Sequence, residues 1–345
     1  MPNHMSNPIP TLARDRSQSL LDRILVGSGG IVGALVILGL LLLVFSILAP
    51  GFFTSANLLN ILRQYAVPLT LAVGQTLVIV TAGIDLSVAA TAALSGVVMG
   101  VSYAHVGLPE PVAILLGLLS GFAVGALNGL LITIWKVPDI IVTLGSLTAV
   151  RGVALLIADG LPVPDFGRAI EGRRMPESVA WLGSESVVGI PLIIIAAAVC
   201  ALIGGFILNR STLGRSMIAV GGNREAAHVS GIHVGRTRFW AYAISGVLAG
   251  IGGMLLAGRL DSANALMANL MELDTIAAVV IGGTALFGGQ GRVSGTVIGI
   301  FIIGVLANGL NILGVSDFWQ RVVTGMIIVL VVALDQWRRR VADRY

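Results

Sequence analysis

Side chains that usually carry out catalysis or bind metals are scarce and unfavourably spaced in this sequence. Cys200 is the only cysteine, which excludes an internal disulfide and a thiolate metal cluster. Lys136 is the only lysine and follows a tryptophan, so the GxxxxGK[ST] nucleotide-binding loop is absent. His228 and His233 are five residues apart, no HExxH motif occurs, and GxSxG is also absent. We therefore expect no catalytic residue, no metal ligand and no bound cofactor in this chain.

Two charged side chains lie within apolar stretches, where an ionised group costs about 2.5 to 3.5 kcal/mol on insertion scales. Asp85 lies between two apolar runs, so we expect it either to face a water-filled path or, like Ser87, to cap a helix that begins near Val88. Arg151 interrupts another apolar run and is expected to pair with a neighbour. In an ion-coupled secondary transporter, Asp85 and Arg151 would be the coupling groups.

The segment 221–231, GGNREAAHVSG, contains the most informative local pattern. Asn223 is a favourable N-cap, Glu225 lies in the first turn where the helix dipole favours an acid, and Gly231 can end the helix in a left-handed conformation. The pattern predicts a helix of about two turns. A helix this short is marginal in water and needs tertiary support or a groove in a partner. We therefore predict a docking element made of Asn223, Arg224, Glu225, Ala226, Ala227 and Gly231.

Composition indicates which elements must position these residues. The 345 residues are 56% hydrophobic and only 11% charged, less than half of the roughly 25% typical of soluble domains. The mean hydropathy is +0.96. Because this number of charges is too small to cover a water-exposed surface, most of the surface must contact a lipid bilayer. The basic pI, near 9.8, does not indicate a nucleic-acid partner, because the arginines lie at segment ends and not in a patch with interleaved aromatics.

Uncharged runs long enough to cross a bilayer fill most of the chain. We predict an all-α integral membrane protein of about ten transmembrane helices, with one membrane domain over 30–336 and cytoplasmic segments at 1–29 and 337–345. Most arginines fall on the side of the amino terminus, so both termini are expected to be cytoplasmic. The ten predicted spans are 30–49, 67–84, 86–109, 111–135, 140–158, 186–209, 239–258, 275–291, 293–316 and 322–334.

Two loops are long enough for a separate role. The loop 210–238 is expected to be a cytoplasmic coupling loop, and its arginines also obey the inside rule. The loop 159–187 is expected to be periplasmic. The arginines on that side either pair with acids of a docking protein or are simply solvated charges. They are Arg63, Arg168, Arg173, Arg174 and Arg259.

The sequence contains a weak internal repeat. Residues 126–130 (ALNGL) resemble 306–310 (LANGL), and each is followed by Val-x-Asp. With the predicted topology the two copies run in opposite directions, as two inverted five-helix halves require. Chance similarity between glycine-rich helices is the alternative. Small residues spaced four apart, such as Gly117-Gly121-Gly125 and Gly295-Gly299, predict closely packed helices.

Several motifs together resemble the membrane permeases of bacterial ABC monosaccharide importers, and the ribose-type permeases above all. Glu225-Ala226-Ala227, three further residues and Gly231 are similar to the EAA-x3-G core of the loop that grips the ATPase. The resemblance covers residues from about 35 to 335, and it departs from the family at Ala89-Ala90, where Gly-Ser is expected. The supporting segments are GIDLSV (83–88), LGRSMIAVGGN (213–223) and ELDTIAAVVIGGTALFGGQGRVSGTVIG (272–299).

The resemblance implies a permease in the bacterial inner membrane that carries a ribose-like sugar. It implies an ATPase subunit that binds ATP and Mg, a periplasmic sugar-binding protein, and a second permease copy in a homodimer or heterodimer. An ion-coupled transporter of a small polar solute is the alternative, while a passive channel would require a ring of polar residues. The polar residues expected to line the path are Gln75, Thr76, Asp85, Asn128 and Asn308.

Overall fold

The computed structural model describes residues 31–165, 167–316, 318–323, 325, 326 and 329, and most of these residues are helical. The helices are α1 (Ile31–Leu48), α2 (Ser55–Val80), α3 (Val88–Gly100), α4 (Glu110–Thr133), α5 (Asp139–Ile157), α6 (Glu177–Ser184), α7 (Leu192–Arg210), α8 (Thr212–Gly222), α9 (Arg224–Val229), α10 (Val234–Leu260), α11 (Met271–Ile281) and α12 (Val293–Ile312). A π-helical turn, Val101–His105, extends α3. Strands β1 (Ser186–Val187) and β2 (Ile190–Pro191) form a small antiparallel hairpin before α7.

Seven helices among the described residues are long and apolar enough to cross a membrane: α1, α3 with its π-turn, α4, α5, α7, α10 and α12. An all-α integral membrane protein is therefore confirmed. The count of ten, the inverted halves and the cytoplasmic termini stay predictions. Segments 1–29 and 337–345, with most of the predicted span 322–334, lie outside the described residues.

Several predicted spans have different boundaries in the structure. The span 186–209 begins in the β1–β2 hairpin, and its helix, α7, begins only at Leu192. Helix α2 begins at Ser55, well before residue 67, because Thr54 caps its first turn and the helix continues through Arg63. The run 275–291 is not one helix, since α11 ends at Ile281 and the chain continues without helix to Arg292. Glycines with positive φ, which a continuing α-helix does not allow, occupy this connection at 283, 288 and 289.

Helix α10 lies at the centre of the fold and packs most closely on α4. A Cβ atom added at Gly121 would lie 2.5 Å from the carbonyl oxygen of Gly246, and one added at Gly125 would lie 3.0 Å from the Gly246 Cα. The two backbones are therefore in direct contact, as small residues permit in lipid. Gly299 likewise lies against α11, with an added Cβ 2.8 Å from the carbonyl carbon of Ala278. The predicted close packing is confirmed at both glycine motifs.

The connections form two opposite ends of the helix bundle. We call one end the α9 face, where the Gly289 N–H donates to the Val80 carbonyl at 3.0 Å. We call the other end the α6 face, where Val163 and Ala263 exchange backbone hydrogen bonds of 2.8 and 2.7 Å. The α9 face comprises residues 81–87, 134–138, 211–233 and 282–292. The α6 face comprises 49–54, 106–109, 158–191 and 261–270, together with the helix residues Arg63 and Arg259, which bond to this end.

Candidate coupling and translocation site

Helix α9 has the capping geometry that its sequence predicts. The Asn223 side chain accepts hydrogen bonds from the backbone N–H groups of Glu225 at 3.0 Å and Ala226 at 2.9 Å. Gly231 has a φ of +84°, which ends the helical turn. Ala227 is the only buried residue of the helix, and Val229 is 84% exposed. The predicted two-turn helix is confirmed, and nearly all of its surface is open to a partner.

Arg224, the first residue of α9, connects this helix to the chain between α2 and α3. Its Nη2 donates to the Ala82 carbonyl at 3.1 Å. Partial burial lowers the pKa of Arg224 from its usual value, and the nearby positive charge of Arg238 acts in the same direction. We call residues 81–87, which are not helical, the break segment.

Asp85 lies in the break segment and is only 2% exposed. Its Oδ1 accepts from the Ser87 N–H at 2.9 Å and from the Ser87 hydroxyl at 2.6 Å. Its Oδ2 accepts from the hydroxyl of Ser245, on α10, at 3.3 Å. Ser87 holds the N-cap position of α3 without a side-chain capping bond. The predicted capping is therefore wrong, because the Asp85 carboxylate accepts from Ser87 and Ser245 but from no N–H group of α3, and the Ser87 hydroxyl donates to Asp85.

The other predicted path residues are paired inside the protein. Gln75 faces the backbone of Asp85, where its amide nitrogen donates to the carbonyl at 3.1 Å and its oxygen accepts from the N–H at 3.3 Å. The Thr76 hydroxyl lies 2.7 Å from that of Thr296. Gln75, Thr76 and Asp85 are thus close in space, with their polar groups satisfied by neighbours.

Asn128 and Asn308 lie far apart, near opposite faces. Asn128 donates to the Ser87 hydroxyl at 2.9 Å and accepts from the Ser146 hydroxyl at 2.5 Å, so it joins α4 and α5 to the break segment. Asn308 and Asn57 exchange two side-chain hydrogen bonds of 2.8 and 3.0 Å. The structure therefore brings Asn128 to Asp85 and leaves Asn308 apart from that group.

A buried ion pair beside the break segment did not emerge from the sequence pattern. Arg238 Nη2 on α10 binds Asp139 Oδ2 at the start of α5, with side-chain exposures of 8% and 16%. The Tyr242 hydroxyl donates to the same Oδ2 at 2.8 Å and lies 3.4 Å from the carbonyl oxygen of Ile84. We call these residues the Asp139–Arg238–Tyr242 cluster. The sequence feature that could have indicated this pair is that Asp139 and Arg238 each directly precede an apolar run.

A cavity of about 640 Å³ opens between α9 and the turn that joins α4 to α5. Lys136, Asp139, Arg224, Glu225, His228 and Arg238 supply its ionisable lining. The Asp139–Arg238 pair thus borders a space next to α9 that a partner's side chains can enter. Among the residues that the structure describes, no group of three or more His, Cys, Asp or Glu side chains is placed to hold a metal ion.

Three of the five predicted arginines on the α6 face have partners that neutralise or enclose them. Arg168 pairs with Asp159, whose carboxylate raises the pKa of Arg168, and Arg174 binds Asp261 at 2.7 Å. Arg173 donates to the carbonyls of Tyr103 and Leu108 at 3.0 and 3.1 Å, and its guanidinium lies 4.9 Å from the centre of the Tyr103 ring.

Arg63 and Arg259 bind only backbone carbonyls. Arg63 Nη2 donates to Ser184 at 3.1 Å, and Arg259 Nη1 donates to Arg63 at 3.3 Å. Neither forms an ion pair within the described part of the chain. These two adjacent cations therefore lack a carboxylate partner there.

Arg151, inside α5, donates to the Asn269 side chain at 2.7 Å. The expected pairing with a neighbour is confirmed, and the neighbour is uncharged. This contact joins α5 to the connection before α11. It gives Arg151 a structural role at the α6 face.

A bundle of apolar helices, with an exposed short helix at one face and a buried polar group behind it, defines a polytopic membrane protein. Residues 57–332 match the family described as "Branched-chain amino acid transport system / permease component". The chain belongs to this permease family, and it is a multi-pass inner-membrane transport subunit and not an enzyme. No solved structure matches the chain.

The chain is similar to several curated relatives over nearly its whole length. It is 42% identical over 297 residues to the ribose import permease protein RbsC of Bacillus subtilis, covering 86% of this chain and 90% of the relative. It is 39% identical over 302 residues to RbsC of Escherichia coli, covering 88% and 92%. It is 34% identical to the xylose transport system permease protein XylH of E. coli, covering 87% and 90%. The resemblance to ribose-type sugar permeases is confirmed.

Proposed function

We propose that this chain is the membrane permease subunit of an ABC importer for a ribose-like monosaccharide. The observation that carries this proposal is the similarity to ribose permeases over 86% or more of the chain. The family description mentions branched-chain amino acids, whereas these relatives are named for ribose and xylose, so the substrate assignment rests on the relatives. A permease for such a solute needs few strong ligands, because tight binding would slow release.

The ATPase subunit docks on α9, which makes the α9 face cytoplasmic. The support is the exposure of the helix together with its anchoring by Asn223 and Arg224. A two-turn helix that is held at one end and exposed elsewhere fits a groove in a partner. ATP and Mg bind in that ATPase, since this sequence lacks a phosphate loop of its own.

A sugar-binding protein docks on the α6 face, and a second permease copy completes the transporter as a homodimer or heterodimer. Arg63 and Arg259 are the favoured docking residues there, because carboxylates of a partner can pair with them without displacing an existing acid. Arg168, Arg173 and Arg174 remain secondary candidates, since Arg168 and Arg174 already pair with acids and Arg173 is held by two carbonyls and the Tyr103 ring.

The sugar passes near the polar residues Gln75, Thr76, Asp85 and Asn128, with Asn308 near the periplasmic end. These side chains are supported as path residues by their polarity within an apolar interior. Their hydrogen bonds to neighbouring side chains and backbone can be exchanged for sugar hydroxyls when the helices separate.

The ATPase docking is tested by replacing Ala227 with Asp. Ala227 is the buried contact of α9, so a carboxylate there should detach the helix from its support and release the ATPase subunit. We expect co-purification of the ATPase and ATP-dependent ribose uptake to be lost together. The matched control is Ala227→Ser, which keeps a small uncharged side chain at the same buried position. Retention of both ATPase and uptake in the Ala227→Asp variant would refute the docking site.

A further inference from the structure

The Asp139–Arg238–Tyr242 cluster holds together two helices, α5 and α10, that are distant in sequence. Asp139 is the first residue of α5, and Arg238 and Tyr242 lie one turn apart on α10. Asp139 Oδ2 receives both the Arg238 guanidinium and the Tyr242 hydroxyl, so both donors meet at one oxygen. The cluster therefore ties α10 to α5 at the α9 face.

The break segment fits against this cluster without spare room. A Cβ atom added at Gly83 would lie 2.6 Å from the Tyr242 hydroxyl and 2.9 Å from Asp139 Oδ2. The Ile84 carbonyl lies 3.2 Å from the Thr143 hydroxyl of α5, which donates to it. The position of the break segment therefore depends on where α5 and α10 place these groups.

The same face of α10 continues from the cluster to Asp85. Arg238, Tyr242 and Ser245 follow a spacing of four and three residues, so all three lie on one side of the helix. Ser245 bonds the Asp85 carboxylate. A shift or rotation of α10 thus reaches the Asp139 cluster and the buried path residue Asp85 together.

Helix α9 has two connections to this arrangement. Through the chain, residues 230–233 join α9 to the start of α10. Through space, Arg224 binds the Ala82 carbonyl of the break segment. Ala82 has a φ of +58°, a conformation that non-glycine residues adopt only when surrounding contacts impose it.

We propose that the Asp139–Arg238–Tyr242 cluster positions the break segment relative to α9, so that movement of the ATPase is delivered to the sugar path. The proposal rests on the docking of the ATPase at α9. Asp139, Arg238 and Tyr242 are positioning residues, and they contact neither ATP nor the sugar. Without the cluster, α9 still binds the ATPase, but its movement no longer carries the break segment with it.

The test measures coupling in the complete transporter, reconstituted with its ATPase and binding protein in proteoliposomes with labelled ribose. Asp139→Asn and Arg238→Gln should each lower the ribose carried per ATP hydrolysed at least about fivefold, the lower end of typical coupling between sites. The ATPase should still co-purify in normal amount. The double variant Asp139→Arg with Arg238→Asp should recover part of the ratio, which a simple loss of fold would not allow.

Two further variants keep the test decisive. Tyr242→Phe removes one hydroxyl and leaves the ion pair, so it should fold and lower the ratio to a smaller extent. Arg236→Gln removes the same charge two residues away at an exposed position, and it should leave the ratio unchanged. A normal ratio in both Asp139→Asn and Tyr242→Phe, or an equal loss in Arg236→Gln, would overturn the proposal. Loss of the ATPase from the Asp139→Asn complex would also overturn it, because the cluster would then act in docking.

Discussion

Arg63 and Arg259 differ from Arg168 and Arg174 on the α6 face, because neither of them pairs with a carboxylate. Both donate to backbone carbonyls, whereas Arg174 has a carboxylate partner in Asp261. The Arg174 pair is largely exposed, and such pairs contribute about 0 to 1 kcal/mol. A docking protein that approaches this face therefore finds two cations available and others already paired.

This difference predicts unequal effects of charge removal. We expect Arg63→Gln with Arg259→Gln to raise about tenfold the concentration of sugar-binding protein needed to stimulate ATP hydrolysis, the effect of losing ~1.4 kcal/mol of binding energy. The measurement is the concentration of binding protein that gives half-maximal ATPase activity in proteoliposomes. Arg168→Gln with Arg174→Gln is the matched control and should change that concentration little. Equal shifts in the two double variants would show that pairing within the chain does not decide docking.

At the scale of the helices, contact between α4 and α10 depends on the absence of side chains at their crossing. Gly125 of α4 and Gly246 of α10 bring the two backbones together. Helix α10 also carries the Arg238 and Tyr242 side chains. The packing of α4 on α10 therefore also fixes where the Asp139 cluster lies. Helix α10 thus takes part both in the close packing of the bundle and in the proposed coupling through the Asp139–Arg238–Tyr242 cluster.

We predict that Gly125→Val destabilises the protein by about 1 to 3 kcal/mol, because the added side chain must push α10 away. Thermal unfolding of the purified permease in detergent should show a lower midpoint. Gly145→Val on α5 is the control, since an added Cβ at Gly145 has nothing within 4 Å. A midpoint for Gly125→Val that equals the control value would contradict the direct backbone contact.

The sequence predicts local structure well where one residue type dictates it. Asn223 and Gly231 mark both ends of α9 correctly because capping depends on neighbouring residues only. The sequence places the start of α2 too late. We predicted spans only from uncharged runs, and Arg63 ends such a run although the helix continues through it. The sequence also fails to find the Asp139–Arg238 pair, whose members are 99 residues apart and meet only through the packing of α5 and α10.

At the scale of the whole molecule, the buried carboxylate does not require ion coupling. Asp85 is bonded by Ser87 and Ser245, and Arg151 is bonded by Asn269 near the opposite face. The two candidate coupling groups of a secondary transporter thus serve separate structural contacts. The energy for transport is left to the ATPase.

This arrangement predicts how transport responds to its energy source. The permease alone in vesicles should not concentrate labelled ribose when a proton or sodium gradient is imposed. With the ATPase and binding protein, Asp85→Asn should retain part of the uptake, and that uptake should require ATP. Wild-type transporter without ATP is the control. Gradient-driven accumulation by the permease alone would overturn the importer assignment.

Helix α1 has a consequence for how the protein is made. It buries only Ala34 and Phe45, and the Phe45 ring packs against Gly309 of α12, so its main partner is synthesised long after it. Until α12 has been made, α1 must reside in lipid without this contact. Its mean hydropathy of 3.1 is the highest among the seven membrane-crossing helices. High hydropathy favours stable insertion of a helix in the bilayer before its partner helix is present. Helix α1 therefore completes its native contacts only after α12 has been inserted.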